Sequence, residues 1–309
     1  FFFLINILQV GILNRIGYSA VLGPSDPWVF GSAVGWQSYG AFLAIAGWTA
    51  WSARSHIRDT ILKAVHPATG IDDSREMLSH RASMLGIAVG IAFMVFWFKS
   101  AGMDLTMAIP LVFMIFVVYF GIARIVSETG MLYVMSPATA QATVMHMVGT
   151  QAFSPASMTI LAFSYAWIAR GSGFLGPPMA QIGKLADATN GNARKFVPYL
   201  FCAVAVAFLA SFFFTLHLGH ARGAYNFNNW ALFAGSHAVW NSSYLRMTDP
   251  TDFDTTRLTW MGIGAAVTAL LFVLRYRFTW CRLSPIGMTI SPTWPIKRVG
   301  FTIFIAWAI

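Results

Sequence analysis

Residues 105–150 read LTMAIPLVFMIFVVYFGIARIVSETGMLYVMSPATAQATVMHMVGT. The run from Leu105 to Ala123 is apolar and of the length a helix needs, at 1.5 Å per residue, to approach the ~30 Å hydrocarbon core of a bilayer. It passes without a loop into Arg124 and Glu128, which are four apart, share a helix face and can pair. After Gly130 the chain stays apolar but becomes rich in small and hydroxyl residues, with Ser136, Pro137, Thr139, Gln141, Thr143 and His146 close together. Ionisable groups embedded in apolar sequence are costly and mark functional sites by default. The stretch therefore predicts a membrane helix with a charged end, followed by a broken membrane segment.

Composition extends this reading to the whole chain. The 309 residues are 57% hydrophobic and 16% aromatic, with only 10% charged and a mean hydropathy of +0.63. Soluble domains carry about 25% charged residues. The expected class is all-α, a polytopic transmembrane helix bundle forming a single domain over 1–309. A membrane β-barrel would alternate polar and apolar residues in ~10-residue segments instead. The net charge of +9 lies in connections between apolar runs, so it predicts orientation in a bilayer and no nucleic-acid partner. Cys202 and Cys281 form no disulfide framework and no zinc spacing. The chain begins at Phe1 and ends at Ile309 inside apolar runs too short to span, which reads as an internal fragment of a longer protein.

Apolar runs fall at 1–12, 29–52, 82–98, 105–123, 157–170, 196–219, 258–274 and 299–309. Basic residues concentrate in three connections: 53–81 (Arg54, Arg58, Lys63, Arg75, Arg81), 170–195 (Arg170, Lys184, Arg194, Lys195) and 275–298 (Arg275, Arg277, Arg282, Lys297, Arg298). The positive-inside rule places all three in the cytoplasm. That requires one more crossing before 157–170, and only 131–152 is available. Polar or irregular backbone at membrane depth is tolerated where it is buried in protein or lines a cavity, and discontinuous helices of this kind build transporter sites. A re-entrant hairpin or a surface-lying segment is the alternative, and it places 171–195 outside. The stretch WSARSHIRDTILKAV (51–65) is basic and amphipathic and suits the headgroup layer. In the long connection 220–257, residues 230–240 suit an interfacial helix or a dip into the outer leaflet.

Each candidate has a plainer alternative. Arg124 and Glu128 read either as a pair in a translocation path or as a structural pair whose arginine reaches headgroups. Pro137, Thr139 and the nearby hydroxyls read as an unwound substrate site or as helix contacts through small residues. His146 is a site candidate or a hydrogen-bonding core residue. His217 and His220 are three apart with no third ligand, so no metal is expected. Gly86 and Gly90, like Gly31 and Gly35, permit close helix approach. No nucleotide, hydrolase or dinucleotide fingerprint is present, and neither enzyme activity nor a cofactor is expected.

RDTILKAV (58–65), DDSREMLSHR (72–81), and ARIVSETG (123–130) resemble a family of prokaryotic membrane proteins known as domain of unknown function 6785, with a C-terminal part numbered 6784. Asn226-Phe227-Asn228-Asn229-Trp230 is a variant of that family's later loop motif, and Ser284-Pro285-Ile286-Gly287 through Trp294 is similar to its approach to a final span. The resemblance covers nearly the whole chain but implies no activity. It is distantly similar to oligopeptide-transporter-type permeases, although their Asn-Pro-Gly element is missing. The expectation is an inner-membrane secondary transporter for a small organic solute coupled to H⁺ or Na⁺, with Arg124, Glu128, Ser136, Pro137, Thr139, Gln141 and His146 along the path and homo-oligomerisation open. The alternative is a non-transporting scaffold or assembly subunit.

Overall fold

The computed structural model describes residues 28–29, 33–66, 70, 72, 76–131, 133–166, 176–188, 193–223, 226, 235–281 and 283–309. The run 1–12, Gly31, Arg75, Arg170, Arg282 and most of 224–234 lie outside the described residues. Helices dominate, and the isolated bridge between Val29 and Ala138 is the only β pairing among the described residues.

In chain order the helices are α1 (Ala33–Ser52), α2 (Arg54–Val65), α3 (His80–Ala101), α4 (Leu105–Thr129), α5 (Ala140–Val148), α6 (Pro155–Ser164), α7 (Gly176–Ala188), α8 (Ala193–Arg222), α9 (Gly235–Thr248), α10 (Thr255–Arg277), α11 (Ile286–Ile290) and α12 (Trp294–Ala308). Local chemistry sets several boundaries. Ser79 starts α3 by accepting from the Ala82 N–H, and Gly102, at φ +106°, stops it. Asp104 then turns the chain into α4, which continues through Arg124 and Glu128 because nothing breaks it before Gly130 at φ +70°. Glycine is the residue that adopts this left-handed geometry without Cβ strain.

The architecture is organised around α1, α4 and α10. In the 18-residue apolar window of α4 half of the residues are buried, whereas none are in that of α8, so α4 is central and α8 presents its sides outward. α1 and α10 touch backbone to backbone. A Cβ built on Gly264 would lie 1.8 Å from the Gln37 carbonyl oxygen, and one on Gly40 would lie 1.9 Å from that of Met261. Trp48 stacks on Phe272 further along, so contacts advance together and the two helices run parallel. Close approach brings Cα–H groups onto carbonyls, a weak attraction that helps hold helices where lipid removes the hydrophobic drive. Gly86 and Gly90 play no such part, because a Cβ on either meets nothing within 4 Å.

Two regions differ from a simple reading of spans. Residues 133–139 are not helical, yet Val134 and Ser136 to Thr139 are buried. Helix α5 follows, running antiparallel to α1, with Tyr39 against Thr143 and Trp36 against His146. The expected polar connection 275–298 is also not a surface loop throughout. Ile286 to Ile290 form α11, which is buried and packs on α1, since its Ile-Gly-Met-Thr-Ile sequence has no charge to keep it in water.

Candidate functional site

Helices α1, α4 and α10 all end, at their C-termini, around one open cleft of about 660 Å³. Its lining includes Thr49, Ser52, Arg124, Glu128, Arg275 and the aromatic pair Trp48 and Phe272. Arg124 Nη2 lies 2.9 Å from Glu128 Oε2, and Arg275 Nη1 lies 3.9 Å from Glu128 Oε1. The side chains of the Arg124–Glu128 pair are 46% and 35% exposed. The charges are therefore open to the cleft at the end of α4 rather than locked in the core. Helix C-termini favour cations, which suits Arg275 in the last turn of α10, while Arg124 sits just before the last turn of α4.

The same end gathers other basic groups. Helix α2 continues directly from α1, with Arg54 stacked over Trp51. Lys184 Nζ donates to the Ser127 carbonyl at 3.0 Å, and Arg194 Nε donates to the Glu76 carbonyl at 3.2 Å. Thus the three basic connections meet at one end of the molecule. Carboxylates mark the other end, with Asp104 between α3 and α4, and Asp252 and Asp254 ahead of α10.

Helix α1 joins the cleft to the interior. Ser52, Thr49, Ile45, Phe42, Tyr39 and Trp36 follow at spacings of three and four, a stripe that winds about half-way round the helix and leaves Trp36 and Ile45 on opposite sides. Ser52, Thr49 and Ile45 line the cleft. Phe42 is fully buried, stacks on Tyr39 with centroids 6.0 Å apart, and fills the space left by Gly121 of α4. Beyond it lies a buried hydroxyl layer. Thr143 Oγ1 is 2.6 Å from Tyr39 Oη and 3.1 Å from the Thr139 carbonyl. The Thr143 hydroxyl is placed to donate to either oxygen, the Tyr39 hydroxyl or the Thr139 carbonyl. Gln141 Nε2 donates to Ser164 Oγ at 3.0 Å, and Thr139 caps α5 by accepting from the Ala142 N–H at 3.1 Å. Ser136 Oγ is buried and has no hydrogen-bond partner among the described residues.

A polar knot closes the opposite end of this layer. His146 Nδ1 lies 3.8 Å from Asp254 Oδ2, and its ring meets Trp36 edge-on. Burial works against ionisation of Asp254. The Arg257 N–H, the Arg257 guanidinium and His146 outweigh it and hold the carboxyl below its ordinary range. Next to it, the Thr150 N–H donates to the Thr251 carbonyl and the Thr251 N–H to Thr150 Oγ1, both at 2.8 Å. Gly149, at φ +85°, passes so close to Asp252 and Phe253 that a Cβ would sit 3.1 Å from their backbone.

The structure thus separates the candidates into two groups. Arg124 and Glu128 share the open cleft, while Ser136, Pro137, Thr139, Gln141 and His146 are buried above it. Tyr39, Arg275, Asp254 and Arg257 belong to these groups and were not singled out from the sequence. Asp254 and Arg257 did carry a signal, an acidic residue three before an arginine at the start of an apolar run, which is a helix-capping pattern.

Four of the helices, α3, α4, α8 and α10, are long and apolar enough to cross a bilayer. Together with the charged cleft and the buried polar layer, they define a helical integral membrane protein. The chain belongs to the family of unknown function DUF6785, whose sequence model matches residues 1–309. Neither a curated protein nor a solved structure matches the chain.

Proposed function

We propose that this protein is a secondary transporter for a small organic solute, driven by H⁺ or Na⁺ and set in an inner membrane with its basic end cytoplasmic. The α1 stripe carries the reading. It leads from an open charged cleft, past the apolar seal of Ile45 and Phe42, to buried hydroxyls on a discontinuous membrane segment. Thr49 and Tyr39 are ten residues apart, about 15 Å of helix rise, or roughly half the hydrocarbon thickness. A half-length helix preceded by non-helical backbone at that depth is the arrangement transporters use for midplane sites.

The test needs no knowledge of the solute. In full-length protein with Cys202 and Cys281 replaced by serine, Ser136→Cys is treated with a membrane-impermeant maleimide from each side, and Thr49→Cys serves as the cleft control. Alternating access predicts that Ser136→Cys reacts from both sides, and that Phe42→Ala speeds its reaction from the basic side. If Thr49→Cys reacts and Ser136→Cys stays inert from either side under every ion gradient, the transport reading fails. A scaffold, the competing reading, is favoured by the complete burial of the hydroxyl layer, and it predicts that inert result.

A further inference from the structure

We propose that the cleft between the C-terminal ends of α1, α4 and α10 binds a phosphate-type oxyanion carried on an apolar body, as an anionic lipid headgroup presents it. This deepens the transport reading by assigning its cleft a ligand class, and it stands on separate observations.

The first observation is unspent donor capacity. Arg124 and Arg275 are rigid forks of N–H donors, and among the described residues both meet Glu128 as their only side-chain acceptor. Arg275 reaches it only at 3.9 Å, a separation too long for a hydrogen bond. Two guanidiniums facing one carboxylate leave an uncancelled positive charge and free planar edges, the geometry that matches phosphate bidentately. The partial negative charge of the helix C-termini favours the arginines and works against an anion, so the two guanidiniums must outweigh it for the oxyanion to bind.

The second observation is the mixed character of the lining. Ile45, Phe272 and Ile286 give apolar walls beside the charges, and Thr49 and Ser52 add hydroxyls at the rim. Each hydroxyl already donates to its own helix, Thr49 to the Ile45 carbonyl and Ser52 to that of Trp48, so their remaining capacity is as acceptors, which suits a hydroxyl such as a glycerol headgroup carries.

The third is position. Exposed Trp48, Trp51, Tyr276 and Trp280 surround this end, as an interfacial aromatic belt does. Helix α2 leaves the cleft rim at Ala53 with no buried residue, showing Ile57, Ile61 and Val65 alongside Arg54 and Arg58. An amphipathic helix of this type lies in the headgroup layer. The cleft therefore opens where lipid phosphates are.

The experiment measures melting of full-length protein in nanodiscs of neutral phosphatidylcholine, with either phosphatidylglycerol added to the bilayer or glycerol phosphate added to the buffer. Stabilisation by phosphatidylglycerol alone assigns a lipid headgroup, and stabilisation by glycerol phosphate assigns a soluble phosphate ester. Each outcome supports the oxyanion site. Arg124→Gln and Arg275→Gln should each raise the apparent dissociation constant about tenfold or more, since one charged hydrogen-bonding partner is lost. Glu128→Gln should lower it, because the competing carboxylate is gone. Unaltered melting in neutral lipid confirms that each variant folds. Lack of stabilisation by either additive, or weaker binding in Glu128→Gln, overturns the proposal. Neither result touches the labelling of Ser136→Cys, so the two readings fail separately.

Discussion

The contact between α1 and α10 makes a strong quantitative claim, and Gly264→Ala tests it. The new Cβ would sit 1.8 Å from the Gln37 carbonyl oxygen. Ordinary contact needs about 3.5 Å, so the helices would have to part by roughly 1.5 Å. Both neighbours are backbone, so no side chain can swing aside. Overpacking of this kind costs about 1–3 kcal/mol. Loosened Cα–H···O contacts add about 0.5–1 kcal/mol each, and alanine's better helix propensity returns up to ~1 kcal/mol. The expected net loss is about 1–3 kcal/mol, measured by equilibrium unfolding of the purified protein in mixed micelles. Gly262→Ala is the internal control, two residues away on the same helix, where a Cβ meets nothing within 4 Å. It should be neutral or stabilising by up to ~1 kcal/mol. Equal stability of the Gly264→Ala and Gly262→Ala proteins would refute the parallel, backbone-to-backbone packing of these helices.

Thr143→Val should cost about 1–3 kcal/mol in thermal unfolding, because it strands the buried Tyr39 hydroxyl. Tyr39→Phe should cost less, since Thr143 keeps the Thr139 carbonyl. The reverse order would show that the Thr143 hydroxyl is not shared between Tyr39 and the Thr139 carbonyl. The knot at the acidic end should depend on pH. A carboxyl held below its ordinary range stabilises the fold above about pH 4, and that stabilisation is lost as pH falls through its lowered value. Protection factors for hydrogen exchange at 147–153 should hold from pH 7 to about 4 and fall below it, whereas Asp254→Asn should show lower protection throughout with a flat profile. Gly149→Ala should destabilise the same knot through both its positive φ and the 3.1 Å contact with Asp252, read as faster exchange at Thr150.

The fold class was legible because apolar runs too long for ordinary core helices, separated by basic connections, admit few alternatives. The break after Gly130 was legible for a local reason, since Gly130 ends the helix and Ser136, Pro137 and Thr139 disfavour its immediate resumption. Partners across the bundle were not. Gly40 and Gly264 lie far apart in sequence, and Gly86 and Gly90 have the more suggestive spacing, yet no local pattern tells which glycine faces another helix. The burial of α11 was hidden by its flanks, where Arg275, Arg277 and Lys297 made the whole connection look like a surface loop. Arg124 and Glu128 were read correctly as helix neighbours. Their depth was not readable, because an apolar flank looks the same whether a helix end is embedded or opens on a cleft.

The separation of those charges from the hydroxyl layer shapes what the molecule has to do. Between cleft and layer stand Ile45 and Phe42, and Phe42 is pinned by Tyr39 on one side and by the space over Gly121 on the other. Tyr39 also holds α5 through Thr143, so the ring that seals the cleft and the short helix behind it are coupled through one side chain. At the far end, α5 is tied to the start of α10 by His146 and Thr150. Moving α5 outward strains the knot with Asp254, and moving it inward strains the bond to Tyr39. A nine-residue helix held at both ends by polar contacts, with non-helical backbone leading into it, can shift as a unit without breaking a long membrane helix. On the transport reading it is this short, doubly tethered helix, more than any single charge, that would set the bundle apart from a scaffold.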